Sequence, residues 1–118
     1  MYIFLSQDAI LWLSMAAKSF SLTFIKKEKV LGDVYLYYFT PNEKFEHIAG
    51  QYMQLTLPHT ADDRGTTRFF TITSSPTEDY LMITTRKGKS SFKKKLFGLK
   101  PQMVIQSFGP MGKFTLQS

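Results

Sequence analysis

From Ser21 onward the chain runs in short stretches in which apolar and polar residues alternate with a period of two. "SLTFIKKEKV" and "DVYLYYFTP" flank Leu31-Gly32, a tight turn between two predicted strands. "QYMQLTLP" alternates strictly, with Tyr52, Gln54 and Thr56 against Met53, Leu55 and Leu57, so one of its faces must be buried; Pro58 ends it. A polar loop, "HTADDRGTT", contains Gly65 and leads into the strand "RFFTITS". Ser75-Pro76 opens a turn, and "DYLMITTRK" is a further strand that Gly88 breaks. The period then changes. In "KSSFKKKLFGL" Ser90 or Ser91 is the predicted N-cap of a helix, Phe92, Leu96 and Phe97 its buried stripe, and Gly98 its stop. "QMVIQSF" is a last long strand, and "GPMGKF" is a turn into a short final one. Six or seven short strands with one helix predict a mainly β fold: a closed antiparallel barrel that hides its edges.

The first twenty residues, "MYIFLSQDAILWLSMAAKSF", break this pattern. They are apolar on nearly every side, with Gln7 and Asp8 interrupting, and Ser6 or Asp8 is placed to cap a helix over Ala9–Lys18. The run falls short of the about 20 apolar residues that a membrane-spanning helix needs. No basic start precedes it, so it is a poor signal peptide. Three readings remain: a helix packed on the domain or on a second subunit, the tail of a preceding membrane segment, or sequence foreign to the fold. The packed helix is preferred.

Length and composition narrow the class. The chain's 118 residues suit one domain with a small core that needs no staples. It has no cysteine, which removes disulfides, iron–sulfur clusters and thiolate metal sites. His47 and His59 lie far apart without ligand-type spacing and read as surface residues. Fifteen basic against nine acidic residues give a net charge of +6, which suits a phosphorylated ligand, nucleic acid, anionic lipid or an acidic protein. Charge alone does not choose among them.

Two stretches carry candidate chemistry. In Arg68-Phe69-Phe70-Thr71 a strand would put Arg68 and Phe70 on one face, Phe69 and Thr71 on the other. A guanidinium fork suits a phosphate, and an aromatic beside it suits a flat ring. At Gly88–Ser91 a glycine permits close backbone approach just before a helix whose first amides lack internal partners, with Lys89 adding charge and Ser91 a hydroxyl. Taken singly, each is better explained by ordinary structure: a strand with a core Phe and a surface Arg, and a capped helix with a solvated face at Lys93-Lys94-Lys95.

Together, "AGQYMQLTLP", "RFFTITSSP", "ITTRKGKSSFKKKL" and "GPMGKF", in this order and spacing, resemble the flavin-binding domain of the ferredoxin–NADP reductase superfamily, from about Phe20 to Leu116. The resemblance implies a six-stranded antiparallel Greek-key barrel that binds FAD at its edge, with residues 1–19 as a separate apolar segment and 20–118 as the FAD-binding domain. On that likeness Arg68 contacts the flavin phosphate, Phe70 lies against the isoalloxazine and ribityl, with Phe69 beside it, and Thr71 sits near N5, the hydride-accepting atom, as the one catalytic position. Tyr52 also touches the flavin. Thr84, Thr85 and Arg86 line the strand beside it, and Gly88, Lys89, Ser90 and Ser91 form the loop that holds the pyrophosphate. The family implies electron transfer between NAD(P)H and an acceptor through the flavin.

One departure stands out. Relatives continue past "GPMGKFTL" into a nicotinamide-binding α/β domain, whereas this sequence ends at Ser118 and contains no G-x-G-x-x-G. The expectation is a flavin module that is inactive alone and is completed by a nicotinamide domain or an electron-acceptor partner. A homodimer through the N-terminal segment and a link to a membrane domain are left open, and the expected location is cytoplasmic, with the membrane face as a variant of it. The competing reading is a non-enzymatic basic barrel for single-stranded nucleic acid, using Tyr35, Tyr37, Tyr38 and the +6 charge. The concentration of cations at Lys26–Lys29 and Lys87–Lys95, without dense aromatic–basic alternation, ranks it second and leaves no nucleic-acid partner expected. The N-terminal reading is tested by Trp12. A packed helix predicts blue-shifted tryptophan emission, and water-like emission that does not change on dilution would remove it.

Overall fold

The computed structural model describes residues 17–48, 50–58 and 66–112. Their elements are β1 (Lys18–Leu31), β2 (Val34–Pro41), β3 (Tyr52–Thr56), β4 (Thr67–Thr71), β5 (Leu81–Arg86), α1 (Ser91–Phe97) and β6 (Val104–Met111). The predicted helix over Ala9–Lys18 lies outside the described residues except at its end. There Ala17 is not helical and Lys18 is already strand, paired with Gly109. β1 therefore takes Lys18 and Ser19 from the segment assigned to the N-terminus.

The six strands form one antiparallel sheet in the order β4-β3-β6-β1-β2-β5, in which β6, last in sequence, is inserted between β3 and β1. The expected closed barrel is closed at one point. The two edge strands come together at a bridge between Ile72 and Ile83, beside a hydrogen bond from Thr73 N to Met82 O of 2.8 Å. Beyond that bridge no ladder joins β4 to β5 among the described residues. The β1–β2 turn is Gly32-Asp33 rather than Leu31-Gly32, because Leu31 and Val34 still pair. Gly32 has φ +55, the left-handed value that a type II′ hairpin asks of its first central residue. Gly109-Pro110, read as a turn, lies within β6. Tyr52 pairs with Met111 and Gln54 with Phe108, so β6 carries one extra residue there. Such a bulge accommodates a proline that cannot donate to a ladder.

The alternation in the sequence becomes the core. Met53, Leu55 and Leu57 are fully buried, along with Leu22, Phe24, Tyr37, Phe39 and Ile83, while Tyr52 faces outward. The buried polar groups have partners: Ser107 Oγ donates to Phe20 O at 2.9 Å, Ser74 Oγ accepts from Met82 N at 3.0 Å, and Gln51 Oε1 accepts from Ile48 N at 2.9 Å. His47 is half-buried rather than on the surface, because its Nε2 reaches the Ser74 carbonyl at 3.0 Å and its ring packs on Phe45. His59 lies outside the described residues.

α1 caps the open side. Ser90 is its N-cap, its Oγ accepting from Lys93 N at 3.1 Å, and Gly98 N closes its end on Lys94 O. Phe92 and Leu96 enter the core, and half-buried Phe97 meets Tyr35 edge-on at 5.0 Å. Lys93 runs back across the turn before the helix. Its Nζ donates to Arg86 O at 3.1 Å, and its stem fills the space over Gly88, where a Cβ would meet Cγ of Lys93 at 2.8 Å. Gly88 has no left-handed φ, so it is glycine for room, not for conformation.

Two outcomes follow from this packing. Gly88→Ala is expected to destabilise the fold by about 1–3 kcal/mol by overpacking, and Lys93→Ala in the same chain to return part of that loss. Urea titration of the single and double variants measures the coupling, and strict additivity would sink the packing account. Burial pushes the Tyr37 phenol up to about 12, with Tyr35 adding to the shift, whereas in the unfolded chain it ionises near 10. Below pH ~10 the group is neutral in both states and its contribution is intact. Between about 10 and 12 only the unfolded chain sheds the proton, so stability falls as pH rises. Wild type should therefore lose stability more steeply over that window than Tyr37→Phe, and parallel curves would refute the assignment.

Candidate functional site

The parting of β4 from β5 leaves a cleft of about 730 Å³ beside the N-terminal end of α1. One wall is β4, with Thr67, Arg68, Phe69 and Phe70, and the other is Thr85 of β5 with Gly88, Lys89 and Ser90. Phe92 and Lys93 of α1 complete the lining. A shallower cleft of about 350 Å³ adjoins it, lined by Tyr52, Phe69, Phe70 and Thr71. Phe69 and Phe70 belong to both, so the two form one trough along β4, cationic at one end and aromatic at the other.

Strand alternation sets which side chains face where. Phe70 points into the core and is 9% exposed, stacked on Phe92 with ring centroids 5.8 Å apart and planes at 28°. Arg68, on the same face, lies over the Phe92 ring at 5.3 Å and donates to Thr67 O at 3.0 Å. Phe69 is 59% exposed and meets exposed Tyr52 of the neighbouring strand edge-on at 5.7 Å. Thr71 follows at the end of β4, exposed and paired with Tyr52.

The structure thus gathers Tyr52, Arg68, Phe69, Phe70, Thr71, Thr85, Gly88, Lys89 and Ser90 along one trough. Three sequence-predicted residues lie off it. Three consecutive strand residues cannot share a face, so Thr85 lines the cleft while its neighbours turn away. Thr84 approaches Thr73 Oγ1 at 3.4 Å, and Arg86 pairs with Asp33 at 2.7 Å. Ser91 is exposed in the first turn of the helix, the cap having gone to Ser90. The aromatic most available to a flat ligand is also not the expected one: Phe70 is largely covered, and Phe69 and Tyr52 present the open rings. Thr67, Phe92 and Lys93 line the cleft without having been singled out for it. Phe92 had a signal only as a core residue, and Lys93 is separated from its neighbours in the basic run by helical geometry alone.

This set fits a flavin dinucleotide. Arg68, Lys89 and Lys93 supply cations at one end, and Tyr52, Phe69 and the Thr71 hydroxyl stand at the other. Among the described residues no group of acidic or histidine side chains could hold a metal ion, and no helix is long and apolar enough to cross a membrane.

Comparison with known proteins bears on the fold and the family. No curated protein sequence matches the chain. Among solved structures, the fold is similar to the cytochrome P450 reductase GcoB of Amycolatopsis, with a TM-score of 0.70, 22% identity, and coverage of 86% of this chain and 30% of that one. It is similar to ferredoxin–NADP+ reductase from Plasmodium falciparum, at 0.70 and 19%, covering 84% of this chain and 40% of that one. The cytochrome b5 reductase domain of Ulva prolifera nitrate reductase follows at 0.65 and 20%, covering 80% and 40%. At these identities the likeness establishes the fold, and the chain spans less than half the length of each. Residues 21–116 match the family described as the oxidoreductase FAD-binding domain. The chain belongs to that family of oxidoreductase FAD-binding domains, with FAD as its cofactor.

Proposed function

We propose that the trough along β4 holds FAD with its diphosphate at the cationic end and its ring system at the aromatic end, and that the module serves an NAD(P)H-dependent electron-transfer enzyme. The observation that carries this is the continuity of the two clefts through Phe69 and Phe70. FAD, when bound, supplies the redox chemistry, and the protein places and tunes it. Arg68 is the fixed cation of the site. The Phe92 ring beneath it and the Thr67 carbonyl hold its guanidinium at the cleft wall, so little side-chain freedom is left to lose when a phosphate arrives. Lys89 adds an exposed cation and Thr85 a hydroxyl, both on the opposite wall. Tyr52 and Phe69 stand at 76° to one another, so one can lie flat on a planar ring while the other meets its edge. Thr71 offers a hydroxyl at that end and is the residue positioned to hydrogen-bond the reacting edge of the ring.

A nicotinamide-binding domain, in the same or another chain, brings the reductant, since hydride transfer needs donor and acceptor held at near-attack distance. A place at the cytoplasmic face of a membrane belongs to the same proposal, supported by the +6 charge.

Titrating FAD into wild type and Arg68→Ala tests the reading. Loss of the charge-assisted contact costs roughly 1.5–3 kcal/mol, so affinity should fall by about one to two decades. Phe69→Ala should also weaken binding and alter the flavin absorbance band, while a single-stranded oligonucleotide serves as the competing ligand. Equal FAD affinity in wild type and Arg68→Ala would defeat the role of Arg68. A folded wild type that binds the oligonucleotide and no FAD would defeat the proposal as a whole.

A further inference from the structure

The β1–β2 hairpin, with β5 beside it as far as the Val34–Arg86 pair, runs past the last fully buried residues of the core. Between residues 25 and 36 no side chain is buried, and the first core residues on either side are Phe24 and Tyr37. At its apex two consecutive apolar side chains stand in solvent, Val30 at 58% and Leu31 at 77% exposure. Leu31 is the most exposed large apolar residue among those described. Apolar surface left in water in this way has nothing to gain from its own fold.

Its surroundings are basic. Lys29 precedes the apex, and Arg86 and Lys87 lie alongside, where Arg86 pairs with Val34 across the β2–β5 ladder and Lys87 N donates to Asp33 O at 2.7 Å. The two acids nearby are already engaged. Asp33 pairs with Arg86, and Glu28 pairs with Lys26 and accepts from the Tyr38 hydroxyl at 2.7 Å, contacts that hold its carboxyl below the usual range. Lys27 and Lys87 place their ammonium groups 4.2 and 4.4 Å from the Phe97 ring centroid, which holds both cations beside the hairpin.

We propose that this hairpin tip docks on an anionic lipid bilayer, Val30 and Leu31 entering the head-group boundary while Lys29 and Lys87 lie among the lipid phosphates. Charge complementarity selects the occupant, since excess positive charge from Lys27, Lys29 and Lys87 beside an apolar tip matches the negative surface of a membrane with hydrocarbon just beneath it. A protein partner is the poorer fit. A stable protein interface covers about 800 Å² per side over a broad complementary patch, and an apolar tip of two side chains does not offer one. The proposal is independent of flavin binding.

The absence of cysteine makes a direct test available. Leu31→Cys and, as a control, Val104→Cys are each labelled with an environment-sensitive nitrobenzoxadiazole dye. Val104 is also exposed, at 59%, but it pairs with Thr23, about 26 Å along β1 from Leu31. Vesicles of phosphatidylglycerol and phosphatidylcholine should shift the emission at position 31 to the blue and at least double its intensity, and leave position 104 unchanged. Pure phosphatidylcholine vesicles, or high salt, should abolish the response. In flotation assays Val30→Ser/Leu31→Ser should lower vesicle affinity at least tenfold with the circular dichroism spectrum unchanged. Vesicle binding without a response at position 31 would assign the membrane contact to another segment and overturn the proposal. No binding at all would also overturn it, as would a response at position 31 to polyglutamate equal to that given by vesicles, which would point to an acidic protein instead.

Discussion

The burial of one ring, Phe92, ties the barrel to its site. It is completely removed from solvent, stacks on Phe70 of β4, and carries Arg68 on its face. The magnitudes rank these roles. Burying a phenylalanine contributes about 1.5–3 kcal/mol by area alone. The ring pair adds about 0.5–1.5 kcal/mol, and an arginine over a ring about 0.5–2 kcal/mol depending on its hydration. Packing therefore decides where Phe92 goes, and Arg68 takes its place as a consequence. The helix that brings Phe92 is only seven residues long, too short to be stable by itself. It exists because Phe92 and Leu96 have a core to enter, and the cleft's far wall exists because the helix does.

The same constraint explains why the barrel is not closed all the way round. A six-stranded sheet joined along its whole seam would leave no room between β4 and β5. Here the edges touch at Ile72 and Ile83 and then part, with Phe92 and the cleft occupying the gap. The edge groups that a full ladder would consume are thus left beside a concave, cationic space. Lys93 holds the turn at its rim, its stem over Gly88 and its ammonium on the Arg86 carbonyl. A single lysine links the end of β5 to the first turn of α1, the two pieces between which the loop 87–90 is strung.

At the far side of that loop Arg86 and Lys87 face the β1–β2 hairpin rather than the cleft. The basic run that reads as one feature in the sequence is therefore divided by strand alternation and by Phe97 into two surfaces, one lining the cleft and the other turned to the outside. A net charge of +6 carries no hint of that division.

Much of the architecture was legible in the sequence because its causes are local. Strict alternation in "QYMQLTLP" already separates Met53, Leu55 and Leu57 from Tyr52 and Gln54, since a strand has only two faces, and the serine–glycine bracket around "SFKKKLF" marks a helix because capping acts within a turn. Four motifs in register were enough to point to the family. The sequence left the choice among neighbours undecided. Which of Phe69 and Phe70 meets a ligand, which of Thr84, Thr85 and Arg86 lines the cleft, and whether Ser90 or Ser91 caps the helix depend on how β4 and β5 face each other across the seam. Pairing partners far apart in the chain also turned the Gly-Pro signal at 109–110 into a bulge within β6. Composition and period determine which residues are buried, because burial follows from each residue's own cost in water. Only the tertiary structure decided which buried and exposed residues meet, because that is set by the register of strands that are distant in sequence.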